Sequence, residues 1–173
     1  MKAFEPLREF TPVLSMISEI SIFGGVSDVQ WSTILPKLER GEFRKGERIF
    51  QRGDEPTHIY ILQSGRVELL ISDNDVTFEK KVLGPGECFG QVSLMSMHRH
   101  TATAVAEEDT VIVALSRHAL IELQRENIAL FALLMMNVSR ELARRLLLTD
   151  NLLLQYIHLN DARDRAAGNP QEG

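Results

Sequence analysis

The sequence predicts a mainly β core, an antiparallel sandwich or barrel, set between helical segments and followed by one long helix. Three observations predict it. Short runs of β-type residues recur from Gly41 to Leu115, separated by glycine and Asp/Asn clusters. Apolar residues ahead of that region recur at helical spacing. From about Asn127 to Leu159 a helical pattern runs with neither Gly nor Pro. The expected organisation is a helical segment over 1–40, a β core over 41–115, hinge and terminal helices over 116–160, and a polar tail over 161–173.

In the first segment, Leu14, Ile17 and Ile20 fall on one helical face, and Val29, Trp31, Ile34, Leu35 and Leu38 on another. Ser27-Asp28 is placed to cap the second helix, and Ser18 to Val26 reads as a connection around Gly24-Gly25.

The β runs are Arg48–Phe50, Ile59–Leu62, Val67–Ile71, Phe78–Leu83, Thr101–Ala106 and Thr110–Leu115. Gly46-Glu47, Gly53-Asp54, Ser64-Gly65, Asp73 to Asp75 and Gly84-Pro85-Gly86 punctuate them. Ser64-Gly65 and Asp73 to Asp75 are hairpin candidates. Gly46, Gly53 and Gly65 are read as sandwich turns.

Ser116 is placed to cap a short helix through Gln124, with Leu120 and Leu123 facing inward. In the long helix, Phe131, Met135, Val138, Leu142, Leu146, Thr149, Leu153 and Tyr156 follow three- and four-residue steps, which holds one stripe on one face. Such a helix is about 48 Å long at roughly 1.5 Å per residue. It outreaches a domain of this size, so much of the stripe needs a partner outside the β core.

Composition narrows the function classes. The 173 residues carry 44% hydrophobic and 25% charged side chains, as in a soluble globular chain. A net charge of −5 gives no overall attraction to nucleic acid. Cys88 is the single cysteine, so no internal disulfide forms and a reducing compartment fits. Met1 to Phe10 is charged and lacks a signal-peptide core, and Arg140, Glu141, Arg144 and Arg145 break up the terminal apolar stretch. A cytoplasmic chain with no membrane span is expected.

Several segments, taken in order, carry a family resemblance. They are Phe43 to Phe50 with Gly53-Asp54, Ile59 to Val67, Gly84 to Gly90, and Thr101-Ala102-Thr103-Ala104. In this order and spacing they resemble the cyclic nucleotide-binding domain, from about Ile22 to Leu123, with the long helix matching the family's C-terminal helix. The resemblance implies a double-stranded β-helix, or jelly roll, with flanking helices.

It also implies a site. Phe89 to Thr103 is similar to the family's phosphate-binding cassette, in which a short helix after Phe-Gly turns free N–H groups toward a phosphate. The implied ligand-binding residues are Phe89, Gly90, Gln91, Val92, Ser93, Arg99, His100 and Thr101. The family has Glu at the position of Gln91, where it accepts from the ribose 2′-hydroxyl, and Gln keeps the acceptor without the charge. It has Arg at the position of His100, pairing with the cyclic phosphate. Losing a charged hydrogen bond worth about 1.5–3 kcal/mol weakens binding roughly ten- to hundredfold. Three outcomes stay open: Arg99 substitutes, His100 protonates, or the ligand is not an ordinary cyclic mononucleotide. Thr149 or Arg145 of the long helix would cover the base.

The expected function is therefore a regulatory module for cyclic AMP or a similar anionic ligand, homodimeric through its long helix. The alternative is a ligand-free interaction module that keeps the fold. Cys88, His98 and His100 raise a haem or metal reading, but no Cys-x-x-Cys or Cys-x-x-Cys-His motif supports it, and no metal or cofactor is expected. His58, His118 and His158 are isolated, and no catalytic motif is present, so no enzyme is expected. Arg140, Arg144 and Arg145 read as a solvated helix face with Glu141–Arg145 as an i,i+4 pair. The family's transcription factors follow the long helix with a helix-turn-helix domain, and only a polar tail follows here, so no DNA-reading module is expected.

Overall fold

The computed structural model of the chain describes residues 4–8, 11–73 and 76–167. Nine strands are described: β1 (Glu5–Pro6), β2 (Leu38–Phe43), β3 (Arg48–Phe50), β4 (His58–Ser64), β5 (Val67–Asp73), β6 (Val76–Leu83), β7 (Cys88–Phe89), β8 (Thr103–Ala106) and β9 (Thr110–Ser116). Five α-helices accompany them: α1 (Thr11–Ile17), α2 (Asp28–Ile34), α3 (Gln91–Ser96), α4 (Arg117–Glu126) and α5 (Ile128–Ala167).

The strands form two antiparallel sheets, ordered β1-β2-β9-β4-β7 and β3-β8-β5-β6. Their inner faces enclose one core: Phe43, Tyr60, Leu62, Phe89, Ile112 and Ala114 from the first sheet meet Ile49, Phe50, Val67, Leu83, Ala104 and Ala106 from the second. The outer face of the five-stranded sheet is buried too. Leu38, Ile59, Ile61, Val113 and Leu115 join a second core with Ile17, Ile34, Leu120, Leu123, Leu130, Leu134 and Val138 from the helices. That double burial explains why Ile59-Tyr60-Ile61-Leu62 reads as a continuous apolar run rather than an alternating one.

The helix caps follow the sequence. The Ser27 hydroxyl accepts from Gln30 N–H, and the Gln30 side chain accepts from Ser27 N–H at 2.9 Å, a complete capping box on α2. The Ser116 hydroxyl accepts from Ala119 N–H at 3.2 Å and starts α4. Asn127 ends α4 through its own N–H to the Leu123 carbonyl, and its side chain accepts from Leu130 N–H at 3.0 Å to begin α5. Along α5, Asn137 donates to the carbonyls of Ile22 and Gly24 at 3.0 and 2.8 Å, which fastens the helix to the amino-terminal segment.

Several local expectations are corrected. Ser64-Gly65 is not a hairpin: β4 and β5 lie in different sheets, because Leu62 and Val67 must face the inner core from opposite sides. Val29 is exposed to solvent, whereas Trp31 and Ile34 are buried. Leu35–Lys37 tightens into a 3-10 turn containing Pro36, and Leu38 opens β2 instead of closing a helix. The fifth run begins at Thr103, and Thr101-Ala102 stays in the preceding bend. β5 and β6 do form a hairpin, with Asp73 opposite Val76, while Asn74 and Asp75 lie outside the described residues. Helix α5 continues past Leu159 to Ala167, and residues 168–173 of the expected tail lie outside the described ones. Strand β1 was not foreseen. It pairs with β2, and Phe4 beside it packs 5.0 Å from His58 and 5.7 Å from Tyr60 between ring centroids.

Candidate functional site

Strand β7 pairs with β4, Phe89 opposite Tyr60 and Cys88 opposite Ile61, and delivers the chain to Gly90. Gly90 has φ +82, and a Cβ there would lie 2.7 Å from Tyr60 Cδ2 and 3.0 Å from the His58 carbonyl oxygen. Only glycine meets both conditions, so Gly90 sets the start of α3 against β4. Met97 ends α3 in the left-handed region at φ 57, and His98 N–H bonds back to the Ser93 carbonyl at 3.2 Å.

The following loop is tied to the turn after β3 by reciprocal backbone bonds. Gly53 N–H donates to the His100 carbonyl at 2.8 Å, and His100 N–H donates to the Asp54 carbonyl at 3.0 Å. Arg52 N–H donates to Thr103 Oγ1 at 3.1 Å on the same seam. Arg99 and His100 consequently face opposite ways. The Arg99 guanidinium donates to the Gly53 carbonyl at 2.7 Å and pairs with Glu55 at 2.5 Å on the surface. The His100 ring is 3% exposed and lies flat on Phe50, centroids 3.7 Å apart with 9° between planes.

Gln91 is fully buried, and its Nε2 makes one long bond, 3.5 Å, to the Cys88 carbonyl. Gln91 Oε1 and His100 Nε2 are buried with no hydrogen-bond partner, and Tyr60 is buried beside them. Phe50, Tyr60 and Phe89 connect these groups, with centroids 5.5 Å (Phe50–Tyr60) and 5.1 Å (Tyr60–Phe89) apart. Ser93 is buried, Val92 is half exposed, and Thr101 is exposed. Burial pushes the His100 imidazole below its ordinary pKa, partly opposed by the Asp54 carboxylate. Burial pushes the Tyr60 phenol up. Both are neutral near pH 7.

From α5, Arg145 reaches the same segment, its Nη2 donating to the Cys88 carbonyl at 2.8 Å while Glu141 holds its Nε at 3.3 Å. Thr149 bonds back to the Arg145 carbonyl within the helix. The Cys88 thiol is buried and its pKa is pushed up to about 12 by desolvation, which leaves it inert. Among the described residues no group of His, Cys, Asp or Glu is placed to hold a metal ion, and no helix is long and apolar enough to cross a membrane.

An open cleft of about 460 Å³ shares Phe50 and Asp54 with this site and is also lined by Arg48 and Glu55. A larger open cleft, about 660 Å³, lies between Phe4, Lys37 and α4, away from the cassette, and its Lys37 is already paired with Glu122 and Glu126. Sequence reasoning named Gly90, Gln91 and His100 but missed Phe50, Asp54 and Tyr60. These three arrive from β3, β4 and the turn between them, in segments that carry the family resemblance but lie far along the chain from Phe89 to Thr103.

The family model described as the cyclic nucleotide-binding domain matches residues 40–127. The chain is 34% identical over 149 residues to the cyclic AMP receptor protein of Thermus thermophilus, covering 84% of this chain and 66% of that protein. It is 32% identical over 103 residues to the cAMP-dependent protein kinase regulatory subunit of Eremothecium gossypii, covering 60% of this chain and 22% of that one. The chain thus spans just under two thirds of the first relative and about a fifth of the second. The crystal structure of the Thermus thermophilus catabolite activator protein superposes with a TM-score of 0.70 at 33% identity, over 85% of this chain and 67% of that one. With the two-sheet roll and the long helix in place, the chain belongs to the cyclic nucleotide-binding domain family.

Proposed function

We propose that this chain is a regulatory module that binds a cyclic nucleotide, cyclic AMP or a close relative, in the roll and signals through α5. One observation carries the reading. Gln91 Oε1 and His100 Nε2 are buried without partners at the two positions where the family contacts ribose and phosphate. A buried polar group left unpaired costs about 1–3 kcal/mol, and a ligand's hydroxyl and phosphate would satisfy both. The same cost weighs against the ligand-free interaction module. Phe89, Gly90, Val92, Ser93 and Thr101 would frame the ligand, and Arg99, already paired with Glu55, is the weakest member of the set.

Signalling would run through two contacts. Arg145 joins α5 to the carbonyl just ahead of the cassette, and Asn127 is the articulation between α4 and α5. The relatives matched over most of this chain or at higher identity are a receptor protein and kinase regulatory subunits, which favours a regulatory over an enzymatic role. We further propose a two-fold homodimer through α5. Leu146, Leu153 and Tyr156 on the predicted stripe are each more than half exposed. Between Arg145 and Leu159 the sequence offers Asp150 as its one carboxylate and no Lys or Arg, too little charge for a solvated helix face.

Calorimetric titration of the purified chain with cyclic AMP and cyclic GMP, paired with thermal melting, tests the ligand. Micromolar binding with a raised melting temperature is expected. The absence of both heat and shift with either nucleotide overturns the reading.

A further inference from the structure

We propose that the ligand enters this site together with a proton, which the His100 imidazole takes up as the anionic phosphate binds. The inference rests on the cyclic-nucleotide reading above and adds its coupling to pH.

The argument starts from what surrounds the ring. His100 is 3% exposed, one face lies on Phe50 at 3.7 Å, and Nε2 is buried without a partner. The charged group acting on it is the Asp54 carboxylate, from the turn after β3. Arg99, its neighbour in the chain, is turned outward to Glu55 and the Gly53 carbonyl. Tyr60 and Gln91 bring buried neutral groups. Arg48 and Glu55 line the adjoining open cleft as opposite charges, and Arg52 is exposed beside the seam with a partner of its own.

A phosphodiester placed against His100 Nε2 would therefore meet a neutral ring with a carboxylate nearby. A buried anion without a counter-charge is strongly disfavoured. Imidazole is the side chain that can answer this near neutrality, because its ordinary pKa lies at about 6.5. In the free site, burial holds it neutral. An anion at hydrogen-bond distance reverses that balance and favours the charged ring. The proton comes from solvent, rests on the imidazole while the phosphate is bound, and returns to solvent on release, with no covalent bond altered elsewhere. The site would then bind more tightly as pH falls, by up to about tenfold per pH unit between the free and bound pKa values.

The test is calorimetric titration of the full chain with cyclic AMP at pH 6, 7 and 8, each in two buffers of different ionisation enthalpy. Buffer-dependent heat counts protons, and the phosphodiester remains a monoanion throughout. Uptake approaching one proton within this range, with affinity falling as pH rises, is expected. H100R should bind at least as tightly with no uptake and a flat pH profile, and H100N should bind more weakly with no uptake. Melting curves of both variants establish that they fold. Binding without proton uptake at any of the three pH values overturns the inference and leaves the cyclic-nucleotide reading intact. Uptake that persists in H100N, or binding lost in R99A but kept in H100N, also overturns it. No binding by the native chain or by H100R removes the reading on which it rests.

Discussion

Arg145 Nη2 donates to the Cys88 carbonyl at 2.8 Å across 57 residues of chain, so the long helix holds the peptide that leads into Gly90 and Gln91. The same carbonyl receives Gln91 Nε2 at 3.5 Å. Gln91 and Arg145 thus share one carbonyl acceptor.

R145M keeps the aliphatic stem and removes both the Cys88 and the Glu141 contacts. Arg145 is partly exposed, with 30% of its side chain accessible, so the expected loss of stability is only about 1 kcal/mol. Urea unfolding measures it. The more specific expectation is that cyclic AMP still binds R145M, while the ligand-dependent change in hydrogen exchange along α5 disappears. An unchanged exchange response would remove Arg145 from the signalling path.

Gly90 and Gly46 provide an internal comparison. Both have positive φ, but a Cβ at Gly46 meets nothing within 4 Å, whereas at Gly90 it strikes the Tyr60 ring. G46A should cost about 1–2 kcal/mol for the left-handed backbone alone. G90A should cost about 1–3 kcal/mol more from overpacking and should lose ligand binding. Equal denaturant midpoints for the two variants would contradict this geometry.

His100 also makes the ligand-free protein sensitive to acid. Its folded pKa lies below the unfolded value, so under about pH 6.5 the unfolded chain binds a proton that the folded chain does not. Stability from this group is present above that pH and is lost as pH falls through the window beneath it. H100F keeps a ring on Phe50 and removes the titration. Its melting temperature should fall less than the native protein's between pH 7 and pH 5.5. Saturating cyclic AMP should shrink the acid loss in the native protein, since the bound phosphate favours the protonated ring.

Along α5, truncation should separate folding from association. Leu134 is 1% exposed and belongs to the core, so L134A should cost about 2–5 kcal/mol. Leu146 and Leu153 are 61% and 56% exposed, so alanine at both should barely move the unfolding of a monomer. In sedimentation equilibrium the double variant should run as a monomer and the native chain as a dimer. An intact dimer in the double variant would place the interface elsewhere.

The sequence by itself determined the antiparallel sandwich-or-barrel class, the two helix caps at Ser27 and Ser116 and the long helix. Each is written in neighbouring residues, as a glycine punctuating two apolar runs, a hydroxyl ahead of a helical stripe, or a spacing held along one face. The sequence also left open which of Arg99 and His100 faces inward, since adjacent residues in an extended chain alternate sides and nothing local says which side is the core. Tertiary structure decided that. The backbone bonds between His100 and the Gly53-Asp54 turn fix the loop's orientation, which sends Arg99 out to Glu55 and lays His100 on Phe50. Strand β1 and the Arg145 contact were likewise invisible, because a two-residue strand has no period and a carbonyl partner 57 positions away leaves no mark in composition. The charge state of His100 belongs to the same class, since burial by β3 and the turn after it, rather than the imidazole's own chemistry, holds it neutral.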